Sequence, residues 1–306
     1  RVQLGYSVYP LRVHRHLFVS SPLPSNVNNF TDQRLLIENH ISEIIDEISL
    51  PKLRDSIKYS TLSGGKRIRP TLTLLSCEVA GGDSKKAIDF AVGIELIHTA
   101  SLIIDDIIDS SPFRRNQYSS WVEFGHSNAV ISSDGLIGEA FKLFSTNPLA
   151  LMCVSNAMAD LGSGEAMELV SPPQNEEQYL DLVRRKTGSL FRAAAELGGI
   201  SAQSDPSTIT ALGDYAESVG MAFQIRDDVL DATADPAILG KPTGQDAMLE
   251  RPSLLRVAGI SPFEANYRAH LQANSALRIL RGIPTTNTTT LDYLSELVNF
   301  AVTRSY

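Results

Sequence analysis

The chain is poor in the features that mark many function classes. Its two cysteines, Cys77 and Cys153, lie in apolar stretches. They offer no metal-ligand spacing and no disulfide framework, which fits a reducing compartment. There is no excess of basic residues: the formal net charge is −8. No basic stripe interleaved with aromatics appears, so nucleic acid is a poor candidate partner. Strand signals are scarce, no repeat of solenoid period is visible, and no Pro/Ser linker divides the body. No apolar run reads as a membrane span, and no nucleophile–base–acid triad is seen. Residues 1–31 lack Asp and Glu but carry Arg1, Arg12, His14, Arg15 and His16. An acid-free, Arg- and Ser-containing start is the composition of a mitochondrial or plastid transit segment, and equally of a loosely docked tail.

What is present is helical periodicity. Apolar residues at three-and-four spacing predict helices over about 33–48, 70–80, 86–109, 134–144, 148–170, 175–198, 207–232, 262–281 and 290–303. Pro70 suits the first turn of its helix. The expected fold class is all-α, a multi-helix bundle around a central cavity, with a tail at 1–31 and one helical domain over 32–306.

One carboxylate pattern occurs twice. Residues 105–109 read Asp105-Asp106-Ile-Ile-Asp109, and residues 227–231 read Asp227-Asp228-Val-Leu-Asp231. On a helix, Asp105 shares a face with Asp109, and Asp227 with Asp231. Carboxylates this close on an apolar helix repel one another and call for cations. Two such faces opposed across a cavity would bind several Mg²⁺ and, through them, a diphosphate.

Basic residues accompany both motifs. His98 precedes Asp105 by two helical turns and falls on the same stripe. Arg114 and Arg115 follow the first acidic helix, where guanidinium forks can clamp phosphate. Gly64-Gly65-Lys66-Arg67-Ile68-Arg69-Pro70 places three cations before a helix start, an anion site that lacks Walker spacing. Lys186-Thr187 lies in a helical stretch. Gln224 sits close to the Asp227 face. Lys241 and Arg251 follow the second acidic helix.

The order G-G-K-R-x-R-P, H-T-x-S-L-x-x-D-D-x-x-D, R-R, K-T, F-Q-x-x-D-D-x-x-D and G-K resembles the trans-isoprenyl diphosphate synthases, or polyprenyl synthetases, from about residue 34 onward. The short spacing after Asp109 is nearest the long-chain polyprenyl and geranylgeranyl branch. The resemblance implies an isoprenoid synthase bundle that condenses isopentenyl diphosphate head to tail with an allylic diphosphate of farnesyl or geranylgeranyl type. Asp105, Asp109, Asp227 and Asp231 would bind Mg²⁺, three ions per site with substrate bound. Lys66, Arg69, His98 and Arg115 would hold isopentenyl diphosphate. Arg114, Lys186, Thr187, Gln224 and Lys241 would contact the allylic diphosphate, and Arg251 stands where the family has a later lysine. A homodimer is implied, a heteromer is the variant, and membrane contact would be at most peripheral.

The chain also departs from the family. Asn116-Gln117 follows the arginine pair, Ser133-Asp134 replaces a Gly-Asp pair, and Pro242 and Pro252 enter the segment after the second motif. In the family, the residues just before the first motif floor the product pocket. Here they are Ala100 and Ser101, both small, with Ile97 deeper, which favours products of C20 or longer. The alternative is the regulatory subunit of a heteromeric synthase. A class I terpene cyclase would share the first motif but not a second D-D-x-x-D.

Overall fold

The periodic segments fold into helices along almost the whole described chain, residues 31–115, 117–233 and 251–304 of a computed structural model. The segment 1–30, Asn116, Lys241 and Pro242 lie outside the described residues. The expected all-α bundle is the fold found. In chain order the helices are α1 (Thr31–Asp46), α2 (Pro51–Leu62), α3 (Ile68–Val79), α4 (Ile88–Ile108), α5 (Ser120–Phe124), α6 (His126–Phe144) and α7 (Pro148–Val170). Then come α8 (Glu176–Val183), α9 (Ser189–Ser201), α10 (Pro206–Thr233), α11 (Leu254–Ala258), α12 (Pro262–Arg281) and α13 (Thr288–Thr303). A two-stranded hairpin, β1 (Phe113–Arg114) with β2 (Gln117–Tyr118), pairs Arg114 with Gln117 between α4 and α5.

Each acidic motif ends a core helix. Helix α4 packs on α6, α3 and α9, and α10 runs along α12 and α9. Ile94, Leu96, Ile97 and Ala100 of α4 are fully buried, as are Ala216, Val219, Ala222 and Ile225 of α10. At about 25 cal/mol per Å² of apolar surface, this burial fixes both helices before any charged group is considered. By length and composition, Ser84–Ile108 is apolar enough to cross a membrane, contrary to the expectation from sequence. About two-thirds of it is buried inside the bundle, because a helix covered on most sides by other helices needs apolar residues nearly all round.

Local chemistry sets the ends. Asn147 caps α7 by accepting from the amides of Leu149 and Ala150, with Pro148 in the first turn. Ser261 and Glu264 form a capping box on α12. The predicted 175–198 helix is interrupted: Arg184–Gly188 forms a π turn between α8 and α9. Such a turn displaces its side chains from the regular helical face and recurs at functional sites. Gly164 of α7 makes room for it, since a Cβ there would meet the Lys186 backbone nitrogen at 2.7 Å.

Candidate active site

A cavity of about 1100 Å³ opens between α3, α4, α7, the π turn, α9 and α10. Both acidic helices reach it, through Asp105 and Asp227. Lys66, Arg69, His98, Arg114, Arg115, Lys186, Thr187 and Gln224 also line it. Leu102, Leu161, Leu190, Phe191 and Phe223 supply apolar wall.

The Gly64-Gly65 turn explains how its cations gather. Both glycines have positive φ, 92° and 142°. The Arg115 guanidinium lies directly on Gly65, where a Cβ would meet it at 3.0 Å, and Arg115 Nη1 donates to the Gly64 carbonyl. Lys66 sits over the Phe300 ring at 4.9 Å. Arg67, grouped with these cations by sequence, turns inward instead. Its Nη1 donates to buried Glu95 at 2.7 Å and its Nη2 to the Thr61 carbonyl at 2.7 Å. Arg69 stacks on Phe191 at 4.6 Å and donates from Nη1 to His98 Nε2 at 3.1 Å. Burial lowers the Arg69 pKa to about 10. Burial, then the Arg69 and Arg115 charges, hold the His98 ring well below its usual range, so it is a neutral acceptor. Arg69 Nε is buried with no protein partner. An orphaned guanidinium donor beside further cations is a site prepared for an anion.

Around the first motif, negative charge is crowded. Burial pushes the Asp105 carboxyl up to about 7; Glu165 and Asp109 add to the rise, and Lys186 and Arg114 oppose it. Lys186 Nζ reaches Glu165 at 3.0 Å and also pairs with Glu168. Burial disfavours the Lys186 charge, but Glu168, Asp105 and Glu165 outweigh it and raise its pKa. Thr187 Oγ1 donates to Gln224 Oε1 at 3.1 Å, joining the π turn to α10.

Not every predicted residue lies on this wall. Asp109 pairs with Arg251. Asp231 is 8% exposed and does not line the cavity, because it is covered within the bundle at the end of α10. Ala100 is also off the wall. One residue from Ser101 is a rotation of about 100° on a helix, so Ser101 lines the cavity while Ala100 packs toward α6 and its carbonyl accepts from Ser133 Oγ at 3.2 Å. Among the described residues no three His, Cys, Asp or Glu side chains form a ready-made metal cluster. Asp227 is instead paired with Arg304 at 2.6 Å.

Three participants were missed in the sequence. Glu165 and Glu168 lie at i and i+3 on α7, a spacing that could have marked a carboxylate face. Arg304 carried no local signal. It follows α13, lines the cavity, lies over the Phe223 ring at 3.3 Å and donates to the Phe223 carbonyl at 2.8 Å. Arg226 clamps the Arg304 carbonyl from Nε at 3.2 Å and from Nη2 at 3.1 Å.

Helical walls around a cation-lined cavity, with an acidic motif on each of two core helices, define an isoprenoid synthase-type site. The family model for polyprenyl synthetases matches residues 50–278. The chain is 36% identical over 234 residues to a short chain isoprenyl diphosphate synthase of Methanothermobacter thermautotrophicus, covering 74% of this chain and 72% of that one. Among solved structures it resembles geranylgeranyl pyrophosphate synthetase from Pyrococcus horikoshii (TM-score 0.84, 30% identity, 90% of this chain and 98% of that one). It also resembles a polyprenyl synthase from Caulobacter crescentus in complex with calcium and isoprenyl diphosphate (TM-score 0.82, 25% identity, 92% and 97%). The chain belongs to the polyprenyl synthetase family of prenyltransferases.

Proposed function

We propose that this chain condenses isopentenyl diphosphate with an allylic diphosphate of farnesyl or geranylgeranyl type, head to tail, to give a trans-polyprenyl diphosphate of C20 or longer. One observation carries the reading: Asp105 and Asp227, from the two acidic helices, line a single cavity whose remaining polar wall is largely cationic. Lys66, Arg69, His98 and Arg115 cluster at the Gly-Gly turn and suit the isopentenyl diphosphate. Arg114, Lys186, Thr187 and Gln224 face the acidic motifs and suit the allylic diphosphate. The named relatives, which handle short-chain, geranylgeranyl and isoprenyl diphosphates, agree with this substrate class.

The side chains also fit Mg²⁺. The donors are carboxylate oxygens, the hard ligands this ion prefers. Glu165 Oε1 is buried without a partner, and the raised Asp105 carboxyl marks anionic crowding that a divalent cation would relieve. Asp105, Asp109 and Asp227 would hold the metal, three ions by family resemblance. Mg²⁺ commonly uses one or two carboxylates together with substrate phosphates, so a cage made by protein alone is not required. When bound, it would neutralise charge growing on the leaving diphosphate. Lys186 and Arg114 would add fixed positive charge at that group. The apolar wall of Leu102, Leu161, Leu190 and Phe191 would keep water from the allylic carbocation while the isopentenyl double bond attacks. The final proton would pass to a released diphosphate oxygen.

A homodimer completes the reading, with the acid-free segment 1–31 as a mitochondrial or plastid transit segment; a loosely docked tail on a cytoplasmic enzyme is the alternative. The test is incubation of the purified chain with labelled isopentenyl diphosphate, farnesyl or geranylgeranyl diphosphate and Mg²⁺, with products sized by chromatography. Elongated product is expected, and Asp105→Ala and Asp227→Ala should each lose about a thousandfold or more in kcat, comparable to removing a main electrostatic stabiliser. Unchanged turnover in both variants would refute the assignment. No product from the chain alone, with activity restored by a partner subunit, would favour the regulatory-subunit alternative.

A further inference from the structure

The two acidic motifs divide their carboxylates in the same way. The first aspartate of each lines the cavity, and the middle one turns away from it. Asp106 is 3% exposed and its Oδ2 accepts from Arg114 Nε at 2.7 Å. Asp228 is 4% exposed and its Oδ2 accepts from the Leu254 amide at 2.7 Å and from the Tyr179 hydroxyl. Asp228 Oδ1 also accepts from Gln224 Nε2 at 3.3 Å, which leaves Gln224 Oε1 for Thr187.

Each middle carboxylate therefore holds the chain that follows its own helix. Asp106 binds the β1–β2 hairpin through Arg114. Asp228 binds the start of α11, close in sequence to Arg251, which reaches Asp109. A small separate cavity of about 20 Å³ adjoins Asp106 and Ser120. Asp106 Oδ1 and Ser120 Oγ have no protein partner, and the space suits one water.

We propose that Asp106 and Asp228, which the ligand set given by resemblance leaves out, act as positioning residues. Asp106 fixes the fork of Arg114 for the allylic diphosphate; Asp228 fixes the amide of Gln224 and the entry of the segment carrying Arg251. The proposal rests on the reading of Arg114 and Gln224 as allylic diphosphate contacts. The physical basis is pre-organisation. A long guanidinium side chain held at Nε by a buried carboxylate keeps its Nη groups aimed and loses less freedom when an anion binds.

Steady-state kinetics on the full chain, with Mg²⁺ titrated separately, test this. Asp106→Ala should raise the allylic KM about tenfold, the size of one charge-assisted hydrogen bond. The Mg²⁺ concentration for half-activation should not move. Asp106→Asn, which keeps an acceptor for Arg114 Nε, should recover part of the loss. In the double variant with Arg114→Ala, Asp106→Ala should add nothing further. On a Gln224→Ala background Asp228→Asn should cost less than it does alone, the remainder being its hold on the Leu254 amide and the segment carrying Arg251. A shifted Mg²⁺ requirement in Asp106→Asn, matching Asp105→Asn, would make it a metal ligand and overturn the proposal, as would fully additive effects. If Asp106→Ala does not fold, Asp106→Asn and its double variant carry the same readouts. An unchanged allylic KM in Arg114→Ala overturns instead the diphosphate reading on which the proposal stands.

Discussion

Arg304 and Asp227 form a salt bridge of 2.6 Å at the cavity wall, with the Arg304 side chain 6% exposed and the carboxylate 45% exposed. The bridge ties the residue after α13 to the second acidic motif, and Arg226 holds the Arg304 carbonyl from behind. Arg304 Nε is buried with no protein partner, while the residue as a whole lines the cavity.

Replacing Arg304 by Met keeps much of the packing on Phe223 and removes the charge. The diphosphate should then bind more weakly by about 1.5–3 kcal/mol, the value of a hydrogen bond to a charged group. The expected result is a rise in the KM for isopentenyl diphosphate, whose cations Lys66 and Arg69 lie on the same wall, with a smaller change in kcat. Steady-state kinetics with each substrate varied in turn checks it. A change confined to kcat would remove Arg304 from substrate binding.

Gly65 allows the backbone and Arg115 to meet. Its φ of 142° strains an L residue, and a Cβ would contact the Arg115 guanidinium at 3.0 Å. Gly65→Ala should cost about 1 kcal/mol or more through the backbone. The flexible guanidinium can yield cheaply, so packing adds little to stability. It would move, however, from where the diphosphate needs it. A raised isopentenyl KM accompanying a modest fall in the unfolding midpoint is the expected pair of results.

His98 makes stability depend on pH. In the fold its ring is held neutral by burial and by the neighbouring arginines, whereas the unfolded ring titrates at its ordinary 6.5. Above that value both states are neutral and the residue contributes nothing. Below it the unfolded chain gains a proton that the fold refuses, so stability falls as pH drops, by about 1.4 kcal/mol per unit for one group. Denaturant unfolding at pH 7, 6 and 5 should show a shallower loss in His98→Gln than in the parent. Parallel curves would count against the buried neutral ring.

Most of the helices and both acidic motifs were legible because their signals are periodic and local. Helices α2, α5 and α11 and hairpin residues 113–118 were not: each strand has only two residues, α5 and α11 only five, and α2, Pro51–Leu62, carries few apolar residues among its polar ones. The helical pattern of α6 shows only from 134, eight residues into the helix, because Ser127, Asn128, Ser132 and Ser133 dilute its apolar periodicity; the Ser132 and Ser133 hydroxyls are in fact buried and bonded to Ser56 and to the Ala100 carbonyl. The cations of the site could be listed from sequence, but not sorted. Arg67 lies between Lys66 and Arg69, yet it serves Glu95 in the interior. That choice depends on a backbone φ of 50° at Arg67 and on a carboxylate 28 residues away, neither visible as a pattern. Arg304 and Asp227 likewise meet only through the packing of α13 near α10.

The distinction between Ser101 and Ala100 gives the sharpest test of product length. Ser101 lies one turn before Asp105 on the cavity wall, with its Oγ donating to the His98 carbonyl at 2.9 Å. Ile97 and Ile94, further along α4, are buried in the bundle. On the proposed reading, a growing apolar tail would pass Ser101 to descend along the helix. Ser101→Phe should fill that passage and shift the labelled products to shorter chains while turnover of the first condensation persists. Ala100→Phe should behave differently. Its side chain would enter the α4–α6 packing, where an oversized residue costs about 1–3 kcal/mol of stability. Product sizing and thermal unfolding on the two variants therefore separate a pocket wall from a helix contact. Equal shortening by Ala100→Phe, with stability intact, would place the tail between α4 and α6 instead.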